Sequence, residues 1–273
     1  MGILQSVDFE FVSHFVRKRS AIVLEPEKTY LVESRLLPLA RREGFASIDE
    51  LVAKLRLSPI GGLHTKVVEA MTTNETSFFR DLQPFEALRK VLLPEFATKR
   101  AATRQLRIWC AASSTGQEPY SLAMLIREHL PQLASWDVKI LATDLSTQVL
   151  EKARSGCFNQ IEVNRGLPAA FLLKYFDRQG LTWQLKETIR QMIEFRPLNL
   201  IEAWPTLPPM DIVLIRNVLI YFDVQTKKDI LGKIRRLLRP DGALLLGGAE
   251  STFNLDESYV RSEVEKTSIY RLR

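Results

Sequence analysis

A chain of 273 residues, 46% hydrophobic and 26% charged, has room for one large domain or for a small domain followed by a medium one, and needs no disulfide or metal to hold its core. Its net charge of +6 points either to an acidic partner or to an ordinary basic surface. Cys110 and Cys157 sit in or beside apolar segments and read as reduced core thiols, while His14, His64 and His129 share no ligand spacing, so no metal centre is expected. No apolar run approaches the roughly 20 residues needed to cross a bilayer, and the opening residues lack a secretion-leader pattern, so the expectation is a soluble cytoplasmic protein.

The first hundred residues read as helical. Val7 to Arg19 carries Phe9, Val12, Phe15 and Val16 at helical spacing. After Pro26, Glu27 to Arg42 is a second run, which Pro38 should kink or split and Gly44 should stop. Ser47 with Glu50 three residues on has the capping-box pattern and opens Ile48 to Leu57. Pro59 to Gly62 breaks the chain before a helix over Leu63 to Met71, and Pro84 to Phe96 supports one or two more. Lys99 to Arg104, polar and basic, reads as a surface connection.

The pattern then changes. Leu106 to Ala111, Val138 to Thr143, Asp211 to Ile215 and Ala243 to Leu246 are short apolar runs bounded by turn residues. Helical patterns lie between several of them, at Glu118 to His129, Thr147 to Ser155 and Gln225 to Leu238. This alternation predicts an α/β fold with a parallel sheet and crossover helices. Ser268 to Leu272 reads as a closing edge strand. Phe158 to Glu194 fits the alternation poorly: a helix near Pro168 to Tyr175, a turn at Asp177 to Gly180 and the alternating Leu181 to Lys186 predict a small inserted antiparallel element.

Chemistry concentrates where strands end. Ile108 to Ser121 runs from an apolar strand through small residues and one glycine, Gly116, into a helix, and Ile140 to Ser146 ends a second strand on Asp144, 28 residues beyond that glycine. An acid so placed accepts hydrogen bonds from ribose hydroxyls, or else caps the following helix. The loop lacks the further glycines a pyrophosphate demands, which favours a nucleoside without phosphates over a dinucleotide. Glu118 either binds a cationic group, such as the aminopropyl ammonium of S-adenosylmethionine, or is a favourable acid at a helix start. Met71 to Arg80 gathers five hydroxyl or amide side chains before two aromatics and an arginine, or is a loop with a helix cap. Asn217 lies near the carboxyl end of a strand, where open sheets bind ligands, and Tyr221 is either a site residue or a core aromatic.

Four segments in this order, Thr73 to Arg80, Ser114 to Ser121, Glu151 to Gly156 and Arg216 to Asp223, resemble the chemotaxis receptor methyltransferase family (CheR), and the resemblance runs over nearly the whole chain. It implies an S-adenosylmethionine-dependent protein-glutamate O-methyltransferase. The implied architecture is an all-α N-terminal receptor-recognition domain (1–80), a helical linker (81–105) and a Rossmann-like methyltransferase domain (106–273), with an inserted β subdomain at about 158–194. It implies that Asn74, Thr76 and Arg80 line the cofactor site and that Glu118 and Asp144 take the aminoacyl and ribose parts. Asn199 and Leu200 flank the adenine, Arg216 and Asn217 close the site, and Arg80 and Tyr221 lie nearest the transferred methyl. A basic face with Arg35, Arg41 and Arg42 would meet the acidic helices of the receptor's cytoplasmic domain. Some family members hold a C-terminal receptor pentapeptide on the inserted subdomain. Their longer glycine-rich turn is not found at Asp177 to Gly180, so independence of that tether is expected; the enzyme is expected to be a monomer.

The reaction suits these residues. A glutamate carboxylate is ionised at neutral pH, with a reference pKa of about 4.3, and needs no general base. Charge disappears on the way to products, so a dry and aligned site does most of the work. A full ion pair between Arg80 and the attacking carboxylate would stabilise the ground state more than the transition state, so Arg80 is expected to position rather than to neutralise. Two other readings compete. A nucleic-acid methyltransferase would suit the charge, but no base-gripping or aromatic-basic stacking motif is evident. An adaptor that keeps the fold without turnover would have little use for Asn74, Arg80, Asp144 and Tyr221 together.

Overall fold

A computed structural model describes residues 4–273. They form two compact units: residues 4–73 with Tyr221–Thr226, and Asn74–Ile220 with Lys227–Arg273.

The first unit is helical: α1 (Ser6–Ser20), α2 (Thr29–Arg42), α3 (Ile48–Leu57) and α4 (Gly62–Met71). Each helix turns an apolar stripe inward, and Val12, Val16, Val32, Leu36, Leu51, Val52 and Val67 are fully buried together. The Ser47 hydroxyl accepts the Glu50 amide at 3.1 Å as the N-cap of α3, and the Glu50 carboxylate reaches back to the Ala46 amide at 2.8 Å. Pro38 does not split α2. The proline sits between Leu36 and the Leu39–Ala40 pair, all buried, and that burial offsets the roughly 3 kcal/mol a mid-helix proline costs.

The second unit begins at Asn74, earlier than the expected boundary at 80. Phe78 and Phe79 belong to its core, as do Phe85, Leu88, Leu92, Leu93 and Phe96 of the expected linker. Those residues lie on α5 (Gln83–Ala87), a π turn (Leu88–Leu92) and α6 (Leu93–Lys99). The Leu93 amide donates to the Leu88 carbonyl, a widened turn directly before Pro94, which has no amide to continue an α ladder.

Next come β1 (Gln105–Ala111), α7 (Gln117–His129), β2 (Asp137–Asp144), α8 (Thr147–Ser155), β3 (Cys157–Asn159), α9 (Gln160–Asn164) and α10 (Ala169–Tyr175). They are followed by β4 (Phe176–Gln179), β5 (Thr182–Leu185), α11 (Glu187–Arg190), β6 (Ile193–Pro197), β7 (Met210–Ile215), α12 (Val224–Leu237), β8 (Leu238–Leu246), β9 (Tyr259–Val264) and β10 (Thr267–Leu272). The main sheet has the order β6-β2-β1-β7-β8-β10-β9. Its first five strands are parallel, β10 runs antiparallel to β8, and β9 runs antiparallel to β10. Residues 108–111 of β1, 212–215 of β7 and 243–246 of β8 are apolar and buried on both faces, as helices on either side require. The chain moves outward from β1 to β2 and β6, then returns to β7, so the switch point of the sheet lies between β1 and β7.

Two expectations change here. Thr267–Leu272 is not the edge, because β9 pairs outside it. Ile193 and Glu194 leave the insertion, because β6 pairs in parallel with β2; the inserted sheet is β3-β5-β4, antiparallel, and β4 and β5 are joined by the two-residue turn Gly180-Leu181. Within the expected surface connection, Arg100 pairs with Asp211 and Asp241. Both cysteines are free; Cys110 is buried and Cys157 half-buried.

Candidate cofactor site

The site is built from loops at the carboxyl ends of β1, β2, β6 and β7. Between β1 and α7 the backbone takes left-handed conformations at Ala112, Ser114 and Gly116, with φ of 56°, 50° and 93°. At Gly116 a Cβ would also stand 3.1 Å from Tyr120 and from Ala153, so glycine is needed there on two counts. Phe79 and Asp81 in the segment leading to α5, and Asn217 after β7, are left-handed too. Half of the ten described non-glycine residues with positive φ thus fall in three loops of one site, where strain is retained only because surrounding contacts impose it.

Those contacts form one connected set. Asp144, at the tip of β2, accepts the Ser114 amide at 2.8 Å on one carboxylate oxygen and the Ser146 amide at 3.0 Å on the other. The residue that caps α8 is Ser146, whose hydroxyl accepts the Val149 amide, so Asp144 is a loop anchor rather than the helix cap. The Ser114 hydroxyl donates to the Asn74 carbonyl at 2.8 Å, which ties the segment 74–80 to the glycine loop. The Asp144 carbonyl accepts the Leu198 amide at 2.9 Å, which sets Asn199 and Leu200 beside it. Asn199 accepts the Ile201 amide, and the Leu200 carbonyl accepts from Trp204 Nε1 and from Lys233. Thr76 is half-buried in the 74–80 segment.

The charged side of the site is an ion pair across the switch point. Arg216, with its side chain 1% exposed, donates to Glu118 at 2.8 Å, and its other terminal nitrogen donates to Asp81 and to the Arg80 carbonyl, both at 2.9 Å. Burial pushes the Glu118 carboxyl up, against the opposing pull of Arg216. Burial also pushes the Cys110 thiol well up, with a further upward push from Glu118. Arg80 donates to the Glu75 carbonyl at 2.9 Å. The segment 74–80 is pinned from the inserted region as well: Arg165 pairs with Glu75, and Gly166 passes so close that a Cβ there would lie 2.0 Å from the Phe78 carbonyl oxygen.

Of the residues expected from the sequence, Asn74, Thr76, Arg80, Glu118, Asp144, Asn199, Leu200, Arg216 and Asn217 all lie in the second unit, and hydrogen bonds join the loops that carry them. Tyr221 groups with the first unit, where its carbonyl accepts the Val23 amide at 3.4 Å. Arg35 is half-buried and held within its own unit. It donates to the Met71 and Thr72 carbonyls at 2.6 and 2.9 Å and to the Thr73 hydroxyl, and so caps α4; burial lowers its pKa, partly offset by Tyr221. Arg41 and Arg42 are exposed. Sequence reading missed Asp81 and Ser114 as binders of the site loops, Lys233, which donates to three carbonyls at 200–202, and Glu250. For Glu250 a signal existed: Gly247-Gly-Ala-Glu250 follows an apolar run, as Asp144 ends one.

A carboxylate at the tip of the second strand, a left-handed loop after the first and a buried acid–arginine pair suit a nucleoside that carries an amino acid. The Ser113 hydroxyl and Arg216 Nε, both buried here without a hydrogen-bond partner, add polar atoms to that set. With the sheet order, these features define an S-adenosylmethionine-dependent methyltransferase. The chain belongs to the CheR methyltransferase family: residues 7–72 match its all-alpha domain and residues 74–268 its SAM binding domain. It is 44% identical to chemotaxis protein methyltransferase 1 of Pseudomonas aeruginosa and 42% identical to chemotaxis protein methyltransferase Cher2 of Pseudomonas putida, each alignment covering 98% of both chains. It is 34% identical to the chemotaxis protein methyltransferase of Escherichia coli, over 94% of this chain and 88% of that one. It is a chemotaxis methyltransferase that uses S-adenosylmethionine. None of the described helices is long and apolar enough to cross a membrane.

Proposed function

We propose that this protein, acting as a cytoplasmic monomer, methylates glutamate side chains of chemoreceptor cytoplasmic domains and thereby serves chemosensory adaptation. Bound S-adenosylmethionine supplies an electrophilic methyl group on a sulfonium. Asp144, whose carboxylate accepts the Ser114 and Ser146 amides at the tip of β2, takes the ribose hydroxyls. Asn199 and Leu200 flank the adenine, and Asn74 and Thr76 line the site. Glu118 and Arg216 present opposite charges to the ammonium and carboxylate of the aminoacyl end, and Asn217 closes the site. Arg80 and Tyr221 act nearest the transferred methyl, Tyr221 by orienting one carboxylate oxygen of the substrate while the other attacks.

The observation that carries the glutamate reading is that the site's arginines are engaged before a substrate arrives. Arg216 is committed to Glu118, Asp81 and the Arg80 carbonyl, and Arg80 to the Glu75 carbonyl. An incoming carboxylate therefore meets an Arg216 already paired with acids and an Arg80 oriented by a backbone carbonyl, which limits over-stabilisation of the ground state. The deciding experiment is radiolabelled methyl transfer to receptor cytoplasmic fragments with Glu→Gln controls. Label released as methanol by mild base, and lost in the controls, supports the proposal. Base-stable label, or transfer to nucleic acid instead, overturns it.

Recognition without a pentapeptide tether is part of the same proposal. The two-residue turn Gly180-Leu181 supports it, since Gly180 at φ 60° closes a minimal hairpin with no longer glycine-rich loop. Micromolar binding of a receptor C-terminal pentapeptide, measured by calorimetry, would remove this part.

A further inference from the structure

Glu250 lies beyond the end of β8 and takes no part in the reaction as proposed, yet its carboxylate gathers four backbone amides. One oxygen accepts from Gly247 at 2.7 Å and from Asn217 at 2.8 Å. The other accepts from Val218 at 2.9 Å and from Ile220 at 3.3 Å. Three of the four donors belong to a single four-residue stretch after β7. Asn217 there is left-handed at φ 58°, the kind of turn that points successive amides at one anion. Gly247 makes the approach possible: a Cβ at that position would stand 2.7 Å from the Glu250 carboxylate and 2.8 Å from the Asn217 amide. Charge-assisted bonds to backbone amides are among the strong ones, and here they fix the conformation of the chain immediately after Arg216.

We propose that Glu250 is a positioning residue for the cofactor site: by binding the amides of 217, 218 and 220 it sets Arg216 and Asn217 in the geometry that receives S-adenosylmethionine. The proposal rests on the assignment of Asn217 to that site. A carboxylate is required, because a carboxamide offers one acceptor oxygen and turns an NH2 group toward the remaining amides.

The test is calorimetric binding of S-adenosylhomocysteine to the full chain and to Glu250→Gln, Gly247→Ala and Asn217→Gly, with thermal unfolding of each measured without ligand. Glycine at 217 removes the side chain while keeping the left-handed backbone accessible. Glu250→Gln is expected to raise the Kd by about tenfold or more, the scale of lost charged hydrogen bonds, with KM for S-adenosylmethionine rising in step and kcat at saturation within about twofold. Gly247→Ala, which wedges the contact apart and leaves the charge, is expected to act in the same direction and carries the test if Glu250→Gln does not fold. A lowered unfolding temperature with Kd and KM unchanged would reduce Glu250 to a structural role and overturn the proposal, provided Asn217→Gly weakens binding. If Asn217→Gly leaves the Kd unchanged while Glu250→Gln raises it, the assignment of the Asn217 side chain falls and the positioning by Glu250 stands. If neither variant changes the Kd, both fall.

Discussion

The two ends of β7 carry the same kind of chemistry to opposite effect. Asp211, near its start, and Arg216, just past its finish, are both buried and both ion-paired. Asp211 is closed: it accepts Arg100 Nε at 2.7 Å and the Arg107 amide at 2.8 Å, with Arg239 at 3.2 Å, and Arg100 spends its other two nitrogens on Asp241. Arg216 instead sits among left-handed loop residues, beside an acid whose charged form is penalised by burial. At the amino end Asp211 ties Arg100, Arg107 and Arg239 to β7. The carboxyl end lies where the strand order reverses, the place where open α/β sheets bind ligands.

The comparison breaks most sharply at Asp211. Asp211→Ala leaves Arg100 Nε and the Arg107 amide without their acceptor and Arg239 without its ion-pair partner, and should cost about 3–5 kcal/mol of stability in chemical unfolding while S-adenosylhomocysteine affinity stays within about twofold. A large loss of affinity would mean that the two ends are not separable. Asp144→Ala should do the reverse: calorimetric affinity should weaken by about 1.5–3 kcal/mol, the scale of a hydrogen-bonded charge, and an unchanged affinity would remove Asp144 from the site. Tyr221→Phe should lower kcat about tenfold, the scale of one oriented hydrogen bond, without altering cofactor affinity; full turnover would end its proposed role.

The smallest effect is in pH, and its sign differs between the ends. The Glu118 carboxyl is raised by burial, so just above pH 4.5 the folded chain holds a proton that the unfolded chain has lost, and stability falls as pH rises through the raised value. The Asp241 carboxyl is lowered, first by its hydrogen bond to Arg100, so its contribution is complete above pH 3.8 and is lost as pH falls through the lowered value. Urea midpoints of Glu118→Gln should therefore fall less on going from pH 4.5 to 7, and those of Arg100→Ala should fall less below pH 3.8. The same pH slope in both variants would erase the distinction.

Local chemistry was legible in the sequence, and long-range pairing was not. Helix starts and stops at Ser47 and Gly44, the parallel strands and the acid at the tip of β2 are written within a few residues each, because caps, periodicity and turn conformations are local. The chain alone therefore determined an α/β domain preceded by helices, and the resemblance of four of its segments to the CheR family pointed to a methyltransferase. What only the tertiary structure decided are contacts between distant residues. β9 lies outside β10, β6 belongs to the main sheet, and Phe78 and Phe79 draw the boundary back to residue 74. Arg35 caps α4, and Glu118 finds Arg216 98 residues away while Glu250 finds Asn217 33 away. Such partners are chosen by burial and by the need of every buried charge and amide for a counterpart, and that need is met only once the sheet has been assembled.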